Sequence, residues 1–587
     1  MSSRLLLGLY IGLLLFSCNS GEKMASKKDL SKDERIAIET EELGALLEAG
    51  FEQDSVKLSG FWITTGTELG KFYTQNNGKL FWFEDGKPKE HTKSFLKFLG
   101  KSEYYGLDSN FYHYNQVKKG LDSLGKTKNF YAVAKCEAVN DVLLTNAWML
   151  AAVHLNKGLL DPENLRVIWK RDSLENKNLA GVLAKSNDTS ILTKLLAYQP
   201  NFIEYRMLKL GMKNFLDSNI LDTVSFKLVD PKKDSSACWN EINKALIHWK
   251  YITIDTLQRD SIVKLAKKFQ ADNGLDPDAI IGPLSRKAFA TSNVQRFHAA
   301  ALAFEKWRWK KPRDGKLEFH VNIPAYELHA LRNDSIIRRH RVVTGAPDTR
   351  SPTFTAKIKY ITLFPYWHVP HSIASKEISV FLRRDSSYLR KGGYTLLNRE
   401  NEPIDLSTVK WKSLNENYFP YKVRQTGGYG NSLGLVVFQF PNKHDVYLHD
   451  TPSKRFFNKS VRCFSHGCIR LQNPLDMATF VISQDKKWKK DEFNKDTLMA
   501  WIGKHYEQRY NLKKYIPIEI DYITVTADSI GNMTFHPDVY DKDVELLKVM
   551  NPLLHYKPKK KPEKKKEEAE EKIKATAYLN SRKKIVV

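Results

Sequence analysis

Two short segments of the chain contain the residue types that thiol catalysis requires. Residues 446–452 read Val-Tyr-Leu-His-Asp-Thr-Pro, and after fifteen intervening residues, counted from His449, residues 465–471 read Ser-His-Gly-Cys-Ile-Arg-Leu. The thiolate is the attacking species in such chemistry, and a nearby imidazole lowers the thiol pKa from about 8.5 and moves protons. The pair Cys468 and His449 therefore predicts a nucleophile with its base.

The flanking residues predict how this pair is held. Val446 and Leu448 are apolar and Pro452 interrupts backbone pairing, so His449 is expected at the end of a strand, which is a rigid position for a base. Gly467 directly precedes the cysteine. A glycine there permits a tight turn that brings backbone N–H groups close to a substrate carbonyl.

Two other interpretations of these residues must be weighed. A single cysteine or histidine is more often a core residue than a catalyst. A zinc site is the second alternative, because the region also offers His444, His449, Cys463, His466 and Cys468. The two cysteines are five positions apart, which fits the usual zinc-ligand spacing poorly. No metal and no other cofactor is expected.

The whole pattern resembles the active-site signature of the L,D-transpeptidases, cysteine enzymes that remodel bacterial peptidoglycan. The resemblance rests on a histidine, a gap in the mid-teens, and Ser-His-Gly-Cys followed by an apolar residue and Arg470. It implies Cys468 as the nucleophile, His449 as the base and peptidoglycan stem peptides as the substrate. The implied reaction is acyl transfer through a thioester, which forms 3-3 crosslinks or attaches another amine to the stem.

The resemblance also implies roles for the neighbours of the cysteine. The backbone N–H groups of Cys468 and Gly467, with the Tyr447 hydroxyl, are expected to form an oxyanion hole. Arg470 is expected to hold a substrate carboxylate through two hydrogen bonds. His466 and Ser465 are expected to shape the turn or contact the substrate.

Two further residues are placed near the site. Asn431 belongs to the glycine-rich segment 427–434, which resembles the turn beside the family's catalytic cleft and is expected to contact the substrate. Asp450 is a candidate to orient the imidazole of His449, and a backbone carbonyl is the alternative. The sequence leaves this choice open.

Two other functions remain open. An L,D-carboxypeptidase would hydrolyse the same acyl-enzyme, and the sequence does not separate it from a transpeptidase because the acceptor site is a matter of shape. A non-catalytic peptidoglycan-binding lipoprotein is the third class.

The first residues predict export. Arg4 precedes the apolar run 5–16, which is too short to span a bilayer and suits a secretory signal. Residues 15–18, Leu-Phe-Ser-Cys, resemble a lipobox, which implies cleavage and lipid attachment at Cys18. A plain signal peptide with an incidental cysteine is the alternative. The expected location is the periplasm, on either the inner or the outer membrane.

Charge and cysteine content narrow the partners. The 587 residues carry a net charge of +26, which suits an anionic lipid or cell-envelope polymer. Export argues against nucleic acid, and the expected partners are stem peptides, the membrane and other cell-wall enzymes. Four cysteines besides Cys18 are too few for a disulfide framework, although pairing of Cys136 with Cys238 stays open. Cys463 is expected to be a strand filler rather than a regulatory thiol.

We predict a multidomain α+β protein with a β-rich catalytic domain. The phrase Phe269-Gln270 followed by Asn273-Gly274-Leu275 and residues 280–283, Ile-Ile-Gly-Pro, resembles the three-helix peptidoglycan-binding domain. Helical periodicity dominates before it and strand patterns dominate after it. The predicted parts are a signal peptide (1–18), a tether (19–38), a helical scaffold (39–240), the peptidoglycan-binding-like domain (241–292), a linking helix (293–315), the catalytic domain (316–545) with a capping insertion at about 379–425, and a charged low-complexity tail (546–587).

Overall fold

The computed structural model describes residues 25–48, 56–58, 61–124, 126–163, 178–252, 258–485 and 492–554. The predicted signal peptide, Cys18 and the tail after residue 554 lie outside the described residues. The chain forms two compact units. Among the described residues, the first unit contains those between 25 and 101, 109 and 153, and 178 and 198, and the second contains those between 102 and 108, 154 and 163, and 199 and 554.

The first unit is helical, as predicted for the scaffold. Its longest helix, α5, is apolar enough to cross a membrane, but 78% of its apolar window is buried inside the protein, as in a core helix. Asp141 on this helix accepts a hydrogen bond from the Tyr73 hydroxyl at 2.6 Å. The elements are α1 (Lys32–Leu47), β1 (Val56–Leu58), β2 (Phe61–Ile63), α2 (Gly66–Gln75), β3 (Phe83–Glu84), β4 (Lys87–Pro88), α3 (Glu90–Leu99), α4 (Tyr114–Leu124), α5 (Phe130–Lys157), α6 (Leu179–Ala184) and α7 (Ile191–Leu196).

The predicted tether is shorter than expected. Helix α1 begins at Lys32, inside the segment assigned to the tether, because Ser31 and Glu34 form a capping box at its start. Arg35 then binds Asp85 at 2.8 Å, which ties the helix to the folded unit.

A three-helix module follows helix α8 (Ile203–Ser218) in the second unit. It consists of α9 (Ser235–His248), α10 (Arg259–Asp272) and α11 (Pro283–Phe289), and its core extends back to Leu228, so it begins before the predicted boundary at 241. Asp276 in the turn after α10 accepts a hydrogen bond from Ser460 N at 2.6 Å. The turn that suggested peptidoglycan binding therefore packs against the β-rich part of the same unit.

The β-rich part is built on a mixed sheet that, within the described residues, contains nine strands. The order is β14-β7-β15-β13-β12-β8-β16-β5-β6. The last strand, β6, also pairs with β7, so the strands from β7 to β6 form a closed sheet. Its strands are β5 (Glu318–Asn322), β6 (Glu327–Arg332), β7 (Ser335–Gly345), β8 (Phe354–Leu363), β12 (Val436–Gln439), β13 (Leu448–His449), β14 (Cys463–Ser465), β15 (Ile469–Leu471) and β16 (Gln508–Asp521).

The capping insertion is larger than predicted. It begins at Trp367 rather than near residue 379, because β9 (Trp367–Val369) pairs with β11 (Lys422–Gln425), which pairs with β10 (Tyr394–Leu397). These strands share a core of their own with α13 (His371–Ile373), a π-helical turn (Ala374–Ile378), α14 (Ser379–Arg384) and α15 (Tyr388–Lys391).

The remaining elements pack beside the sheet and include the predicted linking helix. This helix, α12 (Asn293–Arg308), shares a core with α8 and with the last segment of the described chain. The last helix crosses the predicted end of the catalytic domain at residue 545 and reaches Met550. The other elements are α16 (Pro474–Ser483), α17 (Lys495–Ile502), β17 (Val525–Ala527), β18 (Met533–Phe535) and α18 (Lys542–Met550).

Candidate active site

The predicted nucleophile and base come from two neighbouring parallel strands. In the pair β13–β15, Leu448 stands opposite Ile469 and His449 stands opposite Arg470. Leu448 and Ile469 both lie in the hydrophobic core of the sheet. Because side chains alternate along a strand, His449, Arg470 and the residue before Ile469, Cys468, belong to the opposite face. The register alone thus brings His449 and Cys468 together as diagonal neighbours.

A network of hydroxyl groups holds the turn that carries the cysteine. Ser465 Oγ donates to the Cys468 carbonyl and accepts from Gly467 N at 3.2 Å. Ser351 Oγ donates to the Gly467 carbonyl at 2.7 Å, and Thr349 Oγ1 donates to the Ser465 carbonyl at 2.9 Å. Ser465 therefore shapes the turn, as predicted, while Ser351 and Thr349 were missed because they come from a distant loop.

Gly467 is required for its backbone conformation. Its φ is +114°, in the region where a side chain is strained, while an added Cβ would meet only carbonyl oxygens at 3.7 and 3.8 Å. Its N–H group is bound to Ser465 Oγ, so the predicted contribution of this N–H to an oxyanion hole is not supported by the structure. In the described part of the chain the Cys468 N–H forms no hydrogen bond.

The sulfur of Cys468 lies beside Tyr447. Burial raises the pKa of the Cys468 thiol, whereas the Tyr447 backbone N–H, the Tyr447 hydroxyl and the charge of Arg470 lower it. Sγ is also 3.9 Å from the Asp445 carbonyl. The Tyr447 hydroxyl faces both this thiol and the Trp367 indole, and burial together with the thiol raises its own pKa. The Tyr447 hydroxyl therefore contacts the Cys468 thiol, and its role as an oxyanion donor stays a prediction.

His449 is buried, with only 5% of its surface exposed. Burial lowers the pKa of His449 to about 3, and the neighbouring charge of Arg470 adds to this effect. Its Nδ1 is buried without a hydrogen-bond partner in the described structure. Within the described residues no hydrogen bond joins the imidazole to Sγ of Cys468. A pKa of about 3 keeps the His449 imidazole neutral near pH 7.

Arg470 faces the same side of the sheet as both predicted catalytic groups. Its guanidinium lies 5.8 Å from the centre of the Phe456 ring, and its Nε is buried without a hydrogen-bond partner in the described structure. Burial lowers the pKa of Arg470, although the neighbouring Cys468 opposes the shift. An unpaired donor at this position suits the predicted binding of a substrate carboxylate.

His466 connects the cysteine turn with the capping insertion. Its Nε2 forms a hydrogen bond of 2.6 Å with Glu377 Oε1, and both side chains are about half exposed. Glu377 lies on the π-helical turn, a rare backbone form that occurs often at functional sites. The His466 side chain is thus bound to the capping insertion. Neither Glu377 nor Trp367 was predicted from the sequence as a partner of the site.

Asp450 and Asn431 have structural roles that differ from the predictions. Asp450 accepts hydrogen bonds from Leu435 N at 3.0 Å and Thr451 N at 2.7 Å, and it forms an ion pair with Lys454. It points away from the imidazole because it follows His449 in the strand. Of the two alternatives that the sequence left open, the Asp450 side chain is bound elsewhere, whereas backbone groups of Asp450 and Leu433 face the imidazole.

Asn431 is buried, and its side-chain amide donates to backbone carbonyls, the shortest bond being 2.8 Å to Thr426. Its Oδ1 accepts from Leu433 N at 2.7 Å. These bonds hold the glycine-rich loop and replace the predicted contact with substrate.

The five residues of the zinc alternative have separate partners. His444 packs on Phe354 with ring centres 5.3 Å apart, and His466 binds Glu377. Cys463 lies beside the buried Tyr326 hydroxyl, which places it in the strand layer, as expected of a filler. Cys136 and Cys238 are both free thiols, so the disulfide that the sequence left open is not formed.

Parts of the chain are similar in sequence to known protein families. Residues 317–488 match the model of the L,D-transpeptidase catalytic domain, and residues 67–212 match that of a scaffold domain. A Haemophilus influenzae (strain Rd) protein provisionally named an L,D-transpeptidase is 28% identical over 238 residues, which are 40% of this chain and 47% of that protein. The chain thus spans about half the length of this relative.

Among solved structures, an L,D-transpeptidase from Mycobacterium smegmatis is similar at 13% identity. The match covers 35% of this chain and 58% of that one, with a TM-score of 0.15.

Proposed function

The chain belongs to the L,D-transpeptidase family, whose catalytic domain it carries over residues 317–488, and from this premise we propose that it transfers acyl groups between peptidoglycan stem peptides through a thioester on Cys468. The alternative acceptor is another amine, and the alternative reaction is hydrolysis by an L,D-carboxypeptidase. A non-catalytic wall-binding role is the remaining possibility.

One observation carries the proposal: the Cys468 thiol shares a sheet face with His449 and Arg470 and lies beside the Tyr447 hydroxyl. This arrangement supports a nucleophile, a base, an oxyanion donor and a carboxylate-binding group around one sulfur. Catalytic hydrogen bonds are often long before substrate binds, and diagonal neighbours on a sheet are within reach of long side chains.

In the proposed acylation step, Cys468 Sγ attacks the carbonyl carbon of the third stem residue. His449 takes the thiol proton, which its neutral state at pH 7 permits. The Cys468 N–H and the Tyr447 hydroxyl stabilise the negative oxygen of the tetrahedral intermediate. The bond to the terminal D-Ala then breaks, its nitrogen takes the proton from His449, and a thioester remains.

In the second step the acceptor amine attacks the thioester carbonyl. His449 takes a proton from the amine, the carbon–sulfur bond breaks, and the proton returns to the leaving thiolate. The stem is then joined to the new amine by an amide bond. With water as the acceptor, the same sequence releases a tripeptide and defines the carboxypeptidase.

Product analysis with a defined substrate tests this proposal. The full chain is incubated with a disaccharide-tetrapeptide, and mass spectrometry identifies the products. A crosslinked dimer supports the transpeptidase, a tripeptide monomer supports the carboxypeptidase, and neither product from folded protein contradicts both.

Two cysteine variants provide a matched control. Cys468→Ala is expected to lose all activity and to accumulate no acyl-enzyme mass. Cys463→Ala removes a thiol five residues before the nucleophile, on strand β14, and is expected to retain most activity. If Cys463→Ala is the inactive variant, Cys468 is not the nucleophile.

We further propose that the protein is exported and anchored in a membrane through a lipid on Cys18. The apolar run 5–16 and the lipobox-like residues 15–18 support this location. Fractionation of cells that express the parent chain and Cys18→Ala tests it. Release of the variant into the soluble periplasmic fraction is the expected result, and an unchanged membrane fraction contradicts it.

A further inference from the structure

A second group of reactive side chains lies on strands β5 and β6, outside the site around Cys468. The two strands contain the same pattern, Glu318-Phe-His320 and Glu327-Leu-His329. The antiparallel register places His320 directly opposite His329. Because Phe319 and Leu328 point into the hydrophobic core, both imidazoles lie on the other face of the sheet.

A carboxylate holds each of the two imidazoles through Nε2. His320 Nε2 is 3.1 Å from Asp521 Oδ2, and His329 Nε2 is 2.9 Å from Glu327 Oε2. A metal-bound histidine almost always donates its second ring N–H to such a group, which fixes the tautomer and leaves the other nitrogen as the ligand. In this pair the remaining nitrogen is Nδ1 on both rings.

The third member of the group is Glu204, in the first turn of helix α8. Its Oε1 is 3.7 Å from His320 Nδ1. The Nδ1 atom of His329 is buried and has no hydrogen-bond partner in the described structure. The ligand atoms offered by Glu204, His320 and His329 all lie within 4.8 Å of one another. Small movements of these side chains would bring the three ligand atoms to the distances that separate the ligands of one metal ion.

The three side chains line a common pocket with a volume of about 60 Å³. A single water needs roughly 10–15 Å³ on this measure, so the pocket has room for an ion and several waters. Leu208 and Trp307 supply apolar walls. Such a pocket shields a bound ion from bulk solvent and leaves it open coordination positions.

Charge around the pocket also suits a cation. Lys310 is bound to Asp521 and Glu519 and lies 3.4 Å from His320 Nε2, so one positive charge faces two carboxylates on the Nε2 side of His320. On the Nδ1 side, Arg313 binds Glu204 at 2.8 and 3.1 Å and also contacts Glu318. A carboxylate has about four lone-pair sites, so Glu204 can keep Arg313 and still bind an ion.

We propose that Glu204, His320 and His329 form a binding site for a divalent transition-metal ion of the zinc class, with Asp521 and Glu327 orienting the two histidines. Two imidazoles with one carboxylate suit Zn²⁺ and its neighbours, whereas Mg²⁺ and Ca²⁺ prefer oxygen ligands. The ion would join helix α8 to the sheet.

Metal titration of the full chain tests this site. The protein is prepared without a histidine tag, treated with a chelator and titrated with Co²⁺, whose visible absorption reports imidazole coordination; Zn²⁺ content after dialysis is measured by mass spectrometry. We expect one equivalent of either metal. His329→Gln should weaken binding at least 100-fold, and Glu327→Gln, which alters only the orienting carboxylate, about 10- to 100-fold.

Control variants separate this site from other ligands. His340→Gln, on the neighbouring strand β7, and Cys468→Ser should bind Co²⁺ like the parent. Parent-like binding by folded His329→Gln, or binding that disappears in Cys468→Ser, would place the metal elsewhere and overturn the proposal. The absence of stoichiometric metal from the parent would do the same. If His329→Gln does not fold, the surface-facing Glu327→Gln decides the question, and unchanged affinity there refutes the assigned tautomer and site.

Discussion

His449 stands directly opposite Arg470 in the parallel pair β13–β15, so a permanent positive charge faces the imidazole that must accept a proton. Burial of the ring acts in the same direction, and together they hold the pKa of His449 at about 3. The imidazole is consequently neutral over the physiological range. His449 therefore becomes protonated only while Cys468 loses its proton, when the positive charge on the imidazole and the negative charge on the sulfur stabilise each other.

The first prediction concerns the pH dependence of stability. The pKa of His449 is about 3 in the folded protein and about 6.5 in a free imidazole. As the pH falls, the imidazole is therefore protonated in the unfolded chain at a higher pH than in the folded protein. This contribution to stability is complete above pH 6.5 and is lost as the pH falls towards 3. From pH 8 to pH 5 the loss attributable to His449 is about 2 kcal/mol.

Urea denaturation of the parent and His449→Gln at both pH values measures this loss. The variant should show the smaller decrease in unfolding free energy between pH 8 and pH 5. His444→Gln removes an exposed imidazole from a nearby loop and serves as the control. Equal pH dependence in the parent and His449→Gln would show that His449 is not buried in its neutral form.

The second prediction concerns Tyr447→Phe. The hydroxyl of Tyr447 lowers the pKa of the Cys468 thiol against the raising effect of burial, so its removal should raise the thiol pKa further. Hydrogen bonds to charged groups contribute about 1.5–3 kcal/mol, and the thiolate of Tyr447→Phe should lose a stabilisation of this order.

The pH dependence of Cys468 alkylation by iodoacetamide measures this shift, with the modified peptide quantified by mass spectrometry. The profile of Tyr447→Phe should move to higher pH, whereas Tyr429→Phe, which changes an exposed ring, should match the parent. A profile that stays in place would mean that the hydroxyl does not contact the thiolate.

Local patterns in the sequence predicted the strands and the cysteine turn, but long-range partners were not predictable. The apolar residues Val446 and Leu448 predicted that His449 ends a strand, and Gly467 predicted the tight turn before Cys468. The insertion began earlier than expected because β9 is only three residues long and is defined by its pairing with β11.

The roles of Asp450 and His320 show the same limit. Proximity in sequence made the Asp450 side chain one of two candidates to orient His449, but alternation along a strand separates neighbouring side chains onto opposite faces. Conversely, the two Glu-x-His patterns in residues 318–329 are unremarkable singly, and only the register that pairs His320 with His329 brings their imidazoles together. Glu204 enters from a helix more than a hundred residues earlier in the chain.

The third prediction compares two glycines of the loop that packs on Asp450. Gly434 has a φ of +62°, and a Cβ added there would lie 2.3 Å from Asp450 Cγ. The Asp450 carboxylate cannot move away freely, because it accepts a hydrogen bond from Leu435 N. Gly434→Ala should therefore combine backbone strain with a steric clash and cost about 2–4 kcal/mol.

Gly430 lies in the same loop, and an added Cβ there would meet no atom within 4 Å. Gly430→Ala should accordingly change stability by less than about 0.5 kcal/mol. Thermal unfolding of both variants provides the comparison. Similar losses in the two variants would contradict the close approach of Gly434 to Asp450.

The fourth prediction concerns the bond between the cysteine turn and the capping insertion. Glu377→Gln removes the charge that binds His466 at 2.6 Å. Both side chains are about half exposed, so the direct cost in stability should stay below about 1 kcal/mol. The bond joins the π-helical turn to the residue two positions before Cys468, and its loss should loosen the insertion over the substrate site.

We therefore expect Glu377→Gln to raise the KM for the disaccharide-tetrapeptide several-fold with a smaller change in kcat, and to accelerate amide hydrogen exchange in residues 371–384. Glu416→Gln is the matched control, because Glu416 binds Lys376 at 3.4 Å inside the insertion and does not contact the cysteine turn. If the insertion is held by its own core alone, the two variants will show the same KM and the same exchange. A difference confined to Glu377→Gln indicates that substrate binding depends on the contact with His466, because only that variant disconnects the insertion from the nucleophile.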